Sequence, residues 1–317
     1  MIIQTRRNLL ATGAALTAVP AATAPARAQS ISSRAPGEGF RLVFMPCIHL
    51  RRDRRSPEGL AAALRAVEAL QPRPDLIVTG GDLCHDLRSQ SYEQAEEMLA
   101  LFRRLWAENT TIPTRHLLGN HDWVGWSRDG ADQSDPRYGL GLPLRSLGLE
   151  RNWYAFEHGG WRMVLLDDVD MSRKGRFVGT VPEEQLRFLR ETLAADPRRP
   201  TLVFTHVPIV TATEFFTKGR AEVKDNAWSL ATNRLVDNPQ AVIEAARIGN
   251  VRAFASGHIH EFDRIEVQGQ TFICSGSVSG QQWGGPRSTT PEGFGVFDCH
   301  PDGSFEYAYR DFGWRAG

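Results

Sequence analysis

The chain lacks several features that would place it in a functional class at once. Its 317 residues carry 37 basic and 37 acidic side chains, so its charge does not indicate nucleic acid or an anionic membrane as a partner. It has four cysteines, no internal repeat and no low-complexity segment. With 41% hydrophobic residues it can build a full core without disulfide staples. The length suits one large α/β domain, or at most two.

A targeting signal is predicted at the N-terminus. Arg6 and Arg7 precede an apolar run from Leu9 to about Val19, and Ala26-Arg27-Ala28 has the small-residue pattern of a cleavage site. The apolar run is too short for a membrane span, which needs about 20 such residues. The paired arginines resemble a twin-arginine (Tat) signal, an address read by the Tat export machinery rather than an anchor. An ordinary Sec signal is the alternative.

Cleavage after Ala28 defines the remaining organisation. Residues 1–28 form the signal peptide, residues 29–39 a disordered linker rich in Ser, Gly, Ala and Pro, and residues 40–317 one folded domain. Loss of the signal removes three of the 37 basic side chains and leaves 34 against 37 acidic ones. We therefore expect a periplasmic or secreted protein without a stable membrane anchor and without a nucleic-acid partner.

Short apolar runs alternate with helical patterns along most of the chain. This alternation predicts parallel strands in an α/β fold, and the closely spaced strands after residue 263 predict an antiparallel edge. Predicted helices cover 57–70, 92–106, 182–193 and 238–247. Predicted strands cover 41–45, 75–79, 115–118, 161–166, 201–205, 251–255, 264–267, 271–274, 294–298 and 304–309.

Side chains that bind metals follow several of these strands. They stand in five segments: Cys47-Ile48-His49, Gly81-Asp82, Gly119-Asn120-His121-Asp122, His206 and Gly257-His258-Ile259-His260. Ligands of α/β sheets gather at the carboxyl ends of the strands, so these segments are expected to meet at one edge. Two histidines two residues apart can serve neighbouring ions, and an asparagine supplies a neutral oxygen beside a histidine proton donor. This constellation is typical of a metalloenzyme.

In this order the motifs resemble those of the calcineurin-like metallophosphoesterases. That family shows D-x-H, G-D, G-N-H-D/E, a lone histidine and G-H-x-H, and four of the five motifs match in full. The resemblance runs from about Arg41 to Arg310. It implies a four-layer α/β/β/α sandwich, and an enzyme in which two metal ions about 3.5–4 Å apart generate a hydroxide that attacks phosphorus.

The family pattern also implies which residues hold the two ions. One ion is expected on Cys47, His49, Asp82 and His260, and the second on Asp82, Asn120, His206 and His258. Asp82 is expected to bridge them, because a carboxylate has two oxygens. His121 is the implied proton donor to the leaving group, with Asp122 orienting its ring.

Cys47 departs from the family pattern, which has aspartate at this place. A thiol beside a cation loses its proton, so a thiolate can replace the carboxylate with the same charge. The soft sulfur predicts iron or zinc at this site, with zinc, manganese or iron at the second. His85, three residues after Asp82, is a possible additional ligand, since purple acid phosphatases carry an iron-bound tyrosine there.

Two other interpretations of Cys47 stay open at this stage. A disulfide between Cys47 and Cys84 would remove the ligand, and a periplasmic location permits such a bond. Alternatively Cys47 is inert and a single metal binds well. Cys274 and Cys299 can either pair or remain buried free thiols.

The substrate is indicated only weakly. Residues 277–286 and 291–294 resemble the end of cyclic-nucleotide-phosphodiesterase-like members, so a phosphodiester such as a cyclic nucleotide or a glycerophosphodiester is the predicted substrate. A phosphomonoester is the runner-up, and a non-catalytic relative that binds phosphate or metal is the alternative of another class. Loop aromatics could stack on a base or merely anchor their loops: Trp123, Trp126, Phe215, Phe216 and Trp283.

Overall fold

A computed structural model describes residues 39–172 and 175–316, and the statements below concern these residues. The predicted signal peptide (1–28) and residues 29–38 of the predicted linker lie outside them. Within the described part of the chain, no helix is both long enough and apolar enough to cross a lipid bilayer.

Two mixed sheets form the centre of the fold. The first contains β1 (Phe40–Met45), β2 (Leu76–Thr79), β3 (Thr114–Arg115), β14 (Gly293–Cys299) and β15 (Phe305–Asp311). The second contains β4 (Tyr154–His158), β5 (Trp161–Leu165), β8 (Thr201–Phe204), β11 (Val251–Ser256), β12 (Asp263–Val267) and β13 (Gln270–Cys274). Two short ribbons add β6 (Val169–Asp170) with β7 (Val178–Gly179), and β9 (Glu222–Lys224) with β10 (Ala227–Ser229).

Strand order makes the parallel strands of each sheet direct neighbours. The order is β15-β14-β1-β2-β3 in the first sheet and β12-β13-β11-β8-β5-β4 in the second. In the first sheet β1, β2 and β3 are parallel. In the second, β5, β8, β11 and β13 are parallel. The carboxyl ends of these neighbouring strands therefore share an edge in each sheet.

Five helices flank the sheets: α1 (Ser56–Glu68), α2 (Tyr92–Asn109), α3 (Gly141–Leu147), α4 (Glu183–Ala195) and α5 (Pro239–Ala246). Local sequence explains where α2 begins. Ser91 Oγ accepts from the Gln94 amide at 3.2 Å while Gln94 Oε1 accepts from the Ser91 amide at 2.9 Å, which satisfies two otherwise free N–H groups. Apolar residues at spacings of three and four, such as Leu99 and Phe102, then face the first sheet.

Three hydrophobic cores define the layers. Helices α1 and α2 pack on the outer face of the first sheet, and α4 and α5 on the outer face of the second. The inner faces of the two sheets pack on each other, where Phe204 contacts Phe44 and Phe297 at ring-centroid distances of 5.2 and 6.3 Å. The order is thus helices, sheet, sheet, helices, and the predicted α/β fold is confirmed.

Two predicted elements differ from the structure. The strand predicted at 115–118 ends at Arg115, because side chains take over its hydrogen bonds: the Leu117 amide donates to Thr79 Oγ1 and the Leu118 amide to Asn152 Oδ1. The four C-terminal strands do not form one antiparallel edge. β12 and β13 join the second sheet, whereas β14 and β15 join the first, where β14 buries Phe297 between the sheets. The elements α3 and β4 were not predicted.

Candidate metal centre

All the predicted metal-binding segments lie just beyond the ends of parallel strands. Cys47 and His49 follow β1, Asp82 follows β2, and Asn120–Asp122 form a single 3₁₀ turn after β3. His206 follows β8, and His258 and His260 follow β11. Because β1, β2 and β3 are neighbours in one sheet, and β8 and β11 in the other, the two packed sheets bring every segment to one region.

Close packing around the candidate ligands explains why two motif positions are glycine. A Cβ atom on Gly81 would lie 2.4 Å from His206 Nδ1, and one on Gly119 would lie 2.4 Å from Asp82 Oδ1. Any side chain at these positions would displace a candidate ligand. The motif glycines therefore keep space for the centre rather than only shaping turns.

The backbone of the candidate ligands is unusual. Left-handed backbone at a residue other than glycine is uncommon, is unfavourable, and concentrates at functional sites. Five of these residues adopt it, with φ angles of 54°, 46°, 53°, 66° and 65° at Cys47, His49, Asp82, His258 and His260. The hydrogen bonds and packing of the strand ends hold them there.

Cys47, His49 and His260 form the first cluster. Their ligand atoms lie within 4.8 Å of one another, and the Nε2 atoms of His49 and His260 are 3.0 Å apart. The Cys47 thiol also accepts a hydrogen bond from the His258 amide, at 2.9 Å. The three side chains are buried and point at a common space.

The second cluster surrounds His206. Its Nε2 atom lies 3.0 Å from Asn120 Oδ1, 3.2 Å from His258 Nδ1 and 3.3 Å from Asp82 Oδ2. Asp82 Oδ2 also lies 3.5 Å from His49 Nε2 in the first cluster. Asp82 therefore stands between the two clusters, in the position that the predicted bridging ligand requires.

Backbone carbonyls fix which nitrogen each histidine offers. Since a carbonyl only accepts, the facing ring nitrogen must carry the proton. His206 Nδ1 donates to Gly80 O at 2.8 Å, and His260 Nδ1 to Gly280 O at 2.6 Å, so each presents Nε2 inward. His258 donates through Nε2 to Asn233 O at 2.8 Å and presents Nδ1. Such partners orient imidazoles for metal binding.

Burial sets the protonation of most of the cluster. It lowers the pKa of His49 and His258 well below the usual value and that of His260 to about 4, so these rings are neutral and able to bind metal. Burial also raises the pKa of Cys47, to which Asp82 adds. Cation binding at Cys47 must therefore release the thiol proton.

Asp82 and His206 form the charged pair of the centre. Burial raises the pKa of Asp82, but the nearby His206 and His121 outweigh it, and the pKa falls well below its usual range. Burial lowers the pKa of His206, but Asp82 outweighs it and raises the pKa to about 9. A cation that replaced the His206 proton would keep this charge balance.

The donor set fits transition-metal ions. Imidazole nitrogens, one carboxylate, one amide oxygen and one thiol converge, and imidazole and thiolate are the ligands that iron and zinc accept. His49 Nδ1 is buried without a hydrogen-bond partner among the described residues, an arrangement that is unfavourable unless a ligand or water satisfies it. The residues thus fit the expected metals.

Asp122 does not orient the ring of His121, and this prediction was wrong. Its carboxylate accepts from the backbone N–H groups of Leu83, Cys84 and Gly119, at 2.8 to 3.2 Å. Through these hydrogen bonds Asp122 joins the loop after β2 to the loop after β3. Burial, and then Asp82, raise its pKa to about 7.

The groups beside the His121 ring are Asp86 and Arg88. His121 Nδ1 lies 3.7 Å from Asp86 Oδ1 and 3.3 Å from Arg88 Nη2. Burial lowers the pKa of His121 to about 4 despite Asp82. His121 is thus a neutral imidazole near neutral pH. No periodicity or spacing singled out Asp86 or Arg88, since both stand in an irregular segment.

His85, predicted as a possible extra ligand, lies beside the first cluster. With His49 and His121 it forms a third group whose ligand atoms lie within 4.8 Å of one another. Its ring stacks on that of His121, with centroids 5.8 Å apart. His85 Nδ1 is buried without a hydrogen-bond partner among the described residues.

All four cysteines are buried, and none of them forms a disulfide. The alternative of a Cys47–Cys84 disulfide and a Cys274–Cys299 pair are therefore both wrong. Cys84 belongs to the hydrophobic core under the first sheet, and none of the candidate metal groups among the described residues includes it.

Two of the loop aromatics are anchors rather than exposed platforms. Trp283 is buried, and its indole N–H donates to the carbonyls of Ile48 and His49 at 3.0 and 3.1 Å. Trp126 is also buried and donates to Met171 O. Phe215 and Phe216 are exposed.

A cavity of about 180 Å³ opens onto the centre. Four of the candidate metal ligands form its floor, His49, Asp82, His258 and His260, and His121 lies on its wall. Arg234, Gln281, Gln282 and Arg287 complete its wall, and none of them was predicted from the sequence. Gln281 and Gln282 lie in residues 277–286, which resemble the end of cyclic-nucleotide-phosphodiesterase-like members. Arg234 and Arg287 stand in loops without a motif, and only the fold places them at the cavity.

The comparisons with known proteins agree with this architecture. A family model described as calcineurin-like phosphoesterase matches residues 40–262. A probable cyclic nucleotide phosphodiesterase of Synechococcus sp. is 27% identical over 236 residues, which cover 74% of this chain and 76% of that protein. A 3',5'-cyclic adenosine monophosphate phosphodiesterase of Pseudomonas aeruginosa is 29% identical over 72% of this chain and 66% of its own length.

Solved structures show the same fold. A dimetal phosphatase from Danio rerio superposes with a TM-score of 0.63 at 17% identity, covering 87% of this chain and 97% of that one. A purple acid phosphatase from yellow lupin gives a TM-score of 0.53 at 17% identity, covering 88% of this chain and 53% of that one. With the family match over most of the described chain, these findings show that the protein belongs to the calcineurin-like phosphoesterases and is a metal-dependent phosphoric ester hydrolase.

Proposed function

We propose that the protein is a dinuclear-metal phosphodiesterase. The observation that carries this is the position of Asp82 between two clusters of imidazoles, within 3.5 Å of both His49 and His206. One ion would be held by Cys47, His49, Asp82 and His260, and the other by Asp82, Asn120, His206 and His258. When bound, the ions supply a water nucleophile of lowered pKa and neutralise charge on the phosphoryl oxygens.

The donor atoms support a proposal for the identity of each metal. The Cys47 thiolate would favour iron or zinc over magnesium or calcium at the first site, and His85 stands close enough to that cluster to complete it. The second site has only nitrogen and oxygen donors and would take zinc, manganese or iron. Elemental analysis of the purified protein tests this assignment.

His121 would assist the leaving group. Its ring lies on the cavity wall, and its backbone amide donates to Asp82 Oδ1 at 2.8 Å, which fixes its position beside the bridging carboxylate. With a pKa lowered to about 4 by burial, the neutral ring would donate a hydrogen bond to the departing oxygen rather than act as an imidazolium. Asp86 and Arg88 would hold the ring in place.

The choice of a diester rests on the relatives. Proteins named as cyclic nucleotide phosphodiesterases match over roughly three quarters of the chain, and a probable glycerophosphodiester phosphodiesterase of Arcobacter nitrofigilis is 24% identical over 61% of it. A phosphomonoester is the second candidate, which the dimetal phosphatase of the same fold supports.

Hydrolysis of a chromogenic diester tests the proposal. Protein loaded with zinc, iron or manganese should cleave bis(4-nitrophenyl) phosphate faster than 4-nitrophenyl phosphate, and chelation should stop both reactions. A higher kcat/KM for the monoester would replace the diester assignment. No turnover of either ester by metal-replete protein would overturn enzymatic function of this kind.

Export through the Tat system remains part of the proposal. Arg6 and Arg7, followed by an apolar run, support it. Replacement of both arginines by lysine should keep the protein in the cytoplasm, and a host without the Tat translocase should do the same. Continued appearance of mature protein in the periplasm of that host would favour Sec export instead.

A further inference from the structure

Three arginines and two glutamates form a charged chain beside the metal centre. Arg234 pairs with Glu214 through Nε and Nη2, at 3.0 and 2.7 Å. Arg220 lies between Glu214 and Glu261, at 3.3 and 3.1 Å. Arg287 lies 3.7 Å from Glu261 and donates to the side chain of Gln281 at 2.6 Å.

This chain of charges is fixed rather than mobile. Glu214 is fully buried, so its negative charge depends on Arg220 and Arg234 for compensation. The neighbour of Arg234, Asn233, accepts the hydrogen bond that orients His258. The same short segment thus places a guanidinium and a candidate metal ligand, and the guanidinium keeps a defined position relative to the centre.

Two of the arginines line the cavity and stand at its mouth. Arg234 and Arg287 belong to the wall, and their side chains are 25% and 30% exposed, whereas the Asp82 side chain on the floor is 2% exposed. The guanidiniums therefore lie outward of the metal ligands. A phosphate held by the ions would be deeper than these groups, and the part of a substrate that extends toward solvent would meet them.

The arginines at the cavity mouth have positive charge and N–H groups available to bind an anion. Three guanidiniums face two carboxylates, so one positive charge is in excess. Burial, and then Arg220, lower the pKa of Arg287 although Glu261 opposes them. Each guanidinium offers five N–H donors, of which Arg234 uses two on Glu214 and Arg287 one on Gln281.

We propose that Arg234 and Arg287 bind a second phosphate group of the substrate, carried on the ester group that stays on the reacting phosphorus. This inference rests on the proposed function and narrows it to diesters with a further anionic group. The planar, forked guanidinium matches a phosphate group in geometry and charge. Substrates without that group would bind through the metal centre alone and react with a higher KM.

A matched pair of chromogenic diesters tests the proposal. Thymidine 5′-(4-nitrophenyl phosphate) and its 3′-phosphorylated analogue share the scissile bond and the leaving group, and differ only in the second phosphate. Metal-loaded wild-type protein should show a kcat/KM about tenfold or more higher for the phosphorylated ester, from charge-assisted hydrogen bonds. The difference should lie mainly in KM and should shrink as ionic strength rises.

Variants separate the two arginines from general charge effects. Arg234→Gln and Arg287→Gln should each reduce the preference for the phosphorylated ester, seen as a smaller ratio of the two kcat/KM values. Arg104→Gln removes the same charge from an exposed position on α2 and should keep the preference. Should Arg234→Gln fail to fold because Glu214 loses a partner, Arg287→Gln decides alone.

The possible outcomes are distinct. Equal kcat/KM for both esters in the wild type, or a preference that survives Arg287→Gln, overturns this inference and leaves the phosphodiesterase assignment intact. No hydrolysis of either ester by metal-replete protein overturns the proposed function, and this inference with it.

Discussion

The thiol of Cys47 accepts a hydrogen bond from the backbone N–H of His258, with 2.9 Å between Sγ and N. Cys47 follows β1 of the first sheet and His258 follows β11 of the second, so this bond joins the two halves of the sandwich at the metal centre. A Cβ on Gly257 would lie 3.0 Å from the same sulfur. The position of Cys47 is thus defined by both sheets.

Cys47→Ser should weaken metal binding severely, because a hydroxyl ionises less readily than a thiol and binds a soft ion poorly. Cys47→Asp should restore binding with a preference shifted toward manganese. Metal content after dialysis and activity with each ion measure this. Cys84→Ser, at a buried thiol outside the clusters, is the control and should keep its metal. Full metal and activity in Cys47→Ser would contradict the assignment.

Asp82→Ala and His258→Ala should lose both hydrolysis and bound metal. Asp82→Ala removes the carboxylate between the two clusters, and His258→Ala removes a candidate ligand of the second cluster. His121→Ala should instead keep the metal while kcat falls by on the order of 10²-fold, a typical contribution of a hydrogen-bond donor to the developing charge. Elemental analysis alongside kinetics distinguishes the two behaviours. Loss of metal in His121→Ala, or unchanged turnover, would show that its role is assigned incorrectly.

Asp122→Asn should lower stability rather than act on the chemistry alone. Asparagine has one oxygen where the carboxylate has two, and an NH2 group in the place of Oδ2 cannot accept from the Gly119 N–H. A buried donor then loses its partner, which costs about 1–3 kcal/mol. Chemical denaturation of metal-free protein measures this. The control, Asp132→Asn in an exposed turn, should change stability little. Unchanged stability with reduced kcat would restore the role of Asp122 as a partner of His121.

The half-buried His116 should make the fold sensitive to acid. Burial, and then Arg115, lower its pKa from 6.5 to about 4, so between these values the unfolded chain binds more protons than the folded one. The contribution of the neutral His116 side chain to the free energy of unfolding is complete above pH 6.5 and is lost as the pH falls toward about 4. Denaturation of wild type and His116→Asn at pH 7 and 4.5 should show a smaller loss in the variant. His300→Gln is the control, and equal losses in His116→Asn and wild type would contradict this.

The ligands could be predicted from the sequence because their signals are local. Each combines metal-binding side chains with a preceding strand, and in three motifs a glycine, and the α/β rule then brings the strand ends together. The partner of His121 could not be found in this way. Asp122 is adjacent in sequence but bonds to the Leu83 and Cys84 amides, while Asp86 reaches the ring from another loop.

The long-range charge pairs could not be predicted from the sequence either, because no local pattern identifies their members. Glu214, Arg234 and Glu261 stand in connecting segments whose spacing carries no period, and only the folded chain brings them to Arg220 and to one another. The strand at 115–118 was overestimated because its apolar residues are buried, yet side chains of Thr79 and Asn152 take its amides. Burial alone does not distinguish a strand from an extended segment fixed by side chains.

The contacts of the C-terminal segment limit where the chain can be truncated. Ser277 and Ser279 both donate to the Cys47 carbonyl, at 2.9 and 2.8 Å, and Trp283 holds the next two carbonyls. A fragment that ended at residue 262, where the family match ends, would lose these contacts and expose β1 as an open, apolar sheet edge. We therefore expect the segment matched by the family model not to fold on its own, so gene fusions and truncations should retain the chain through β15.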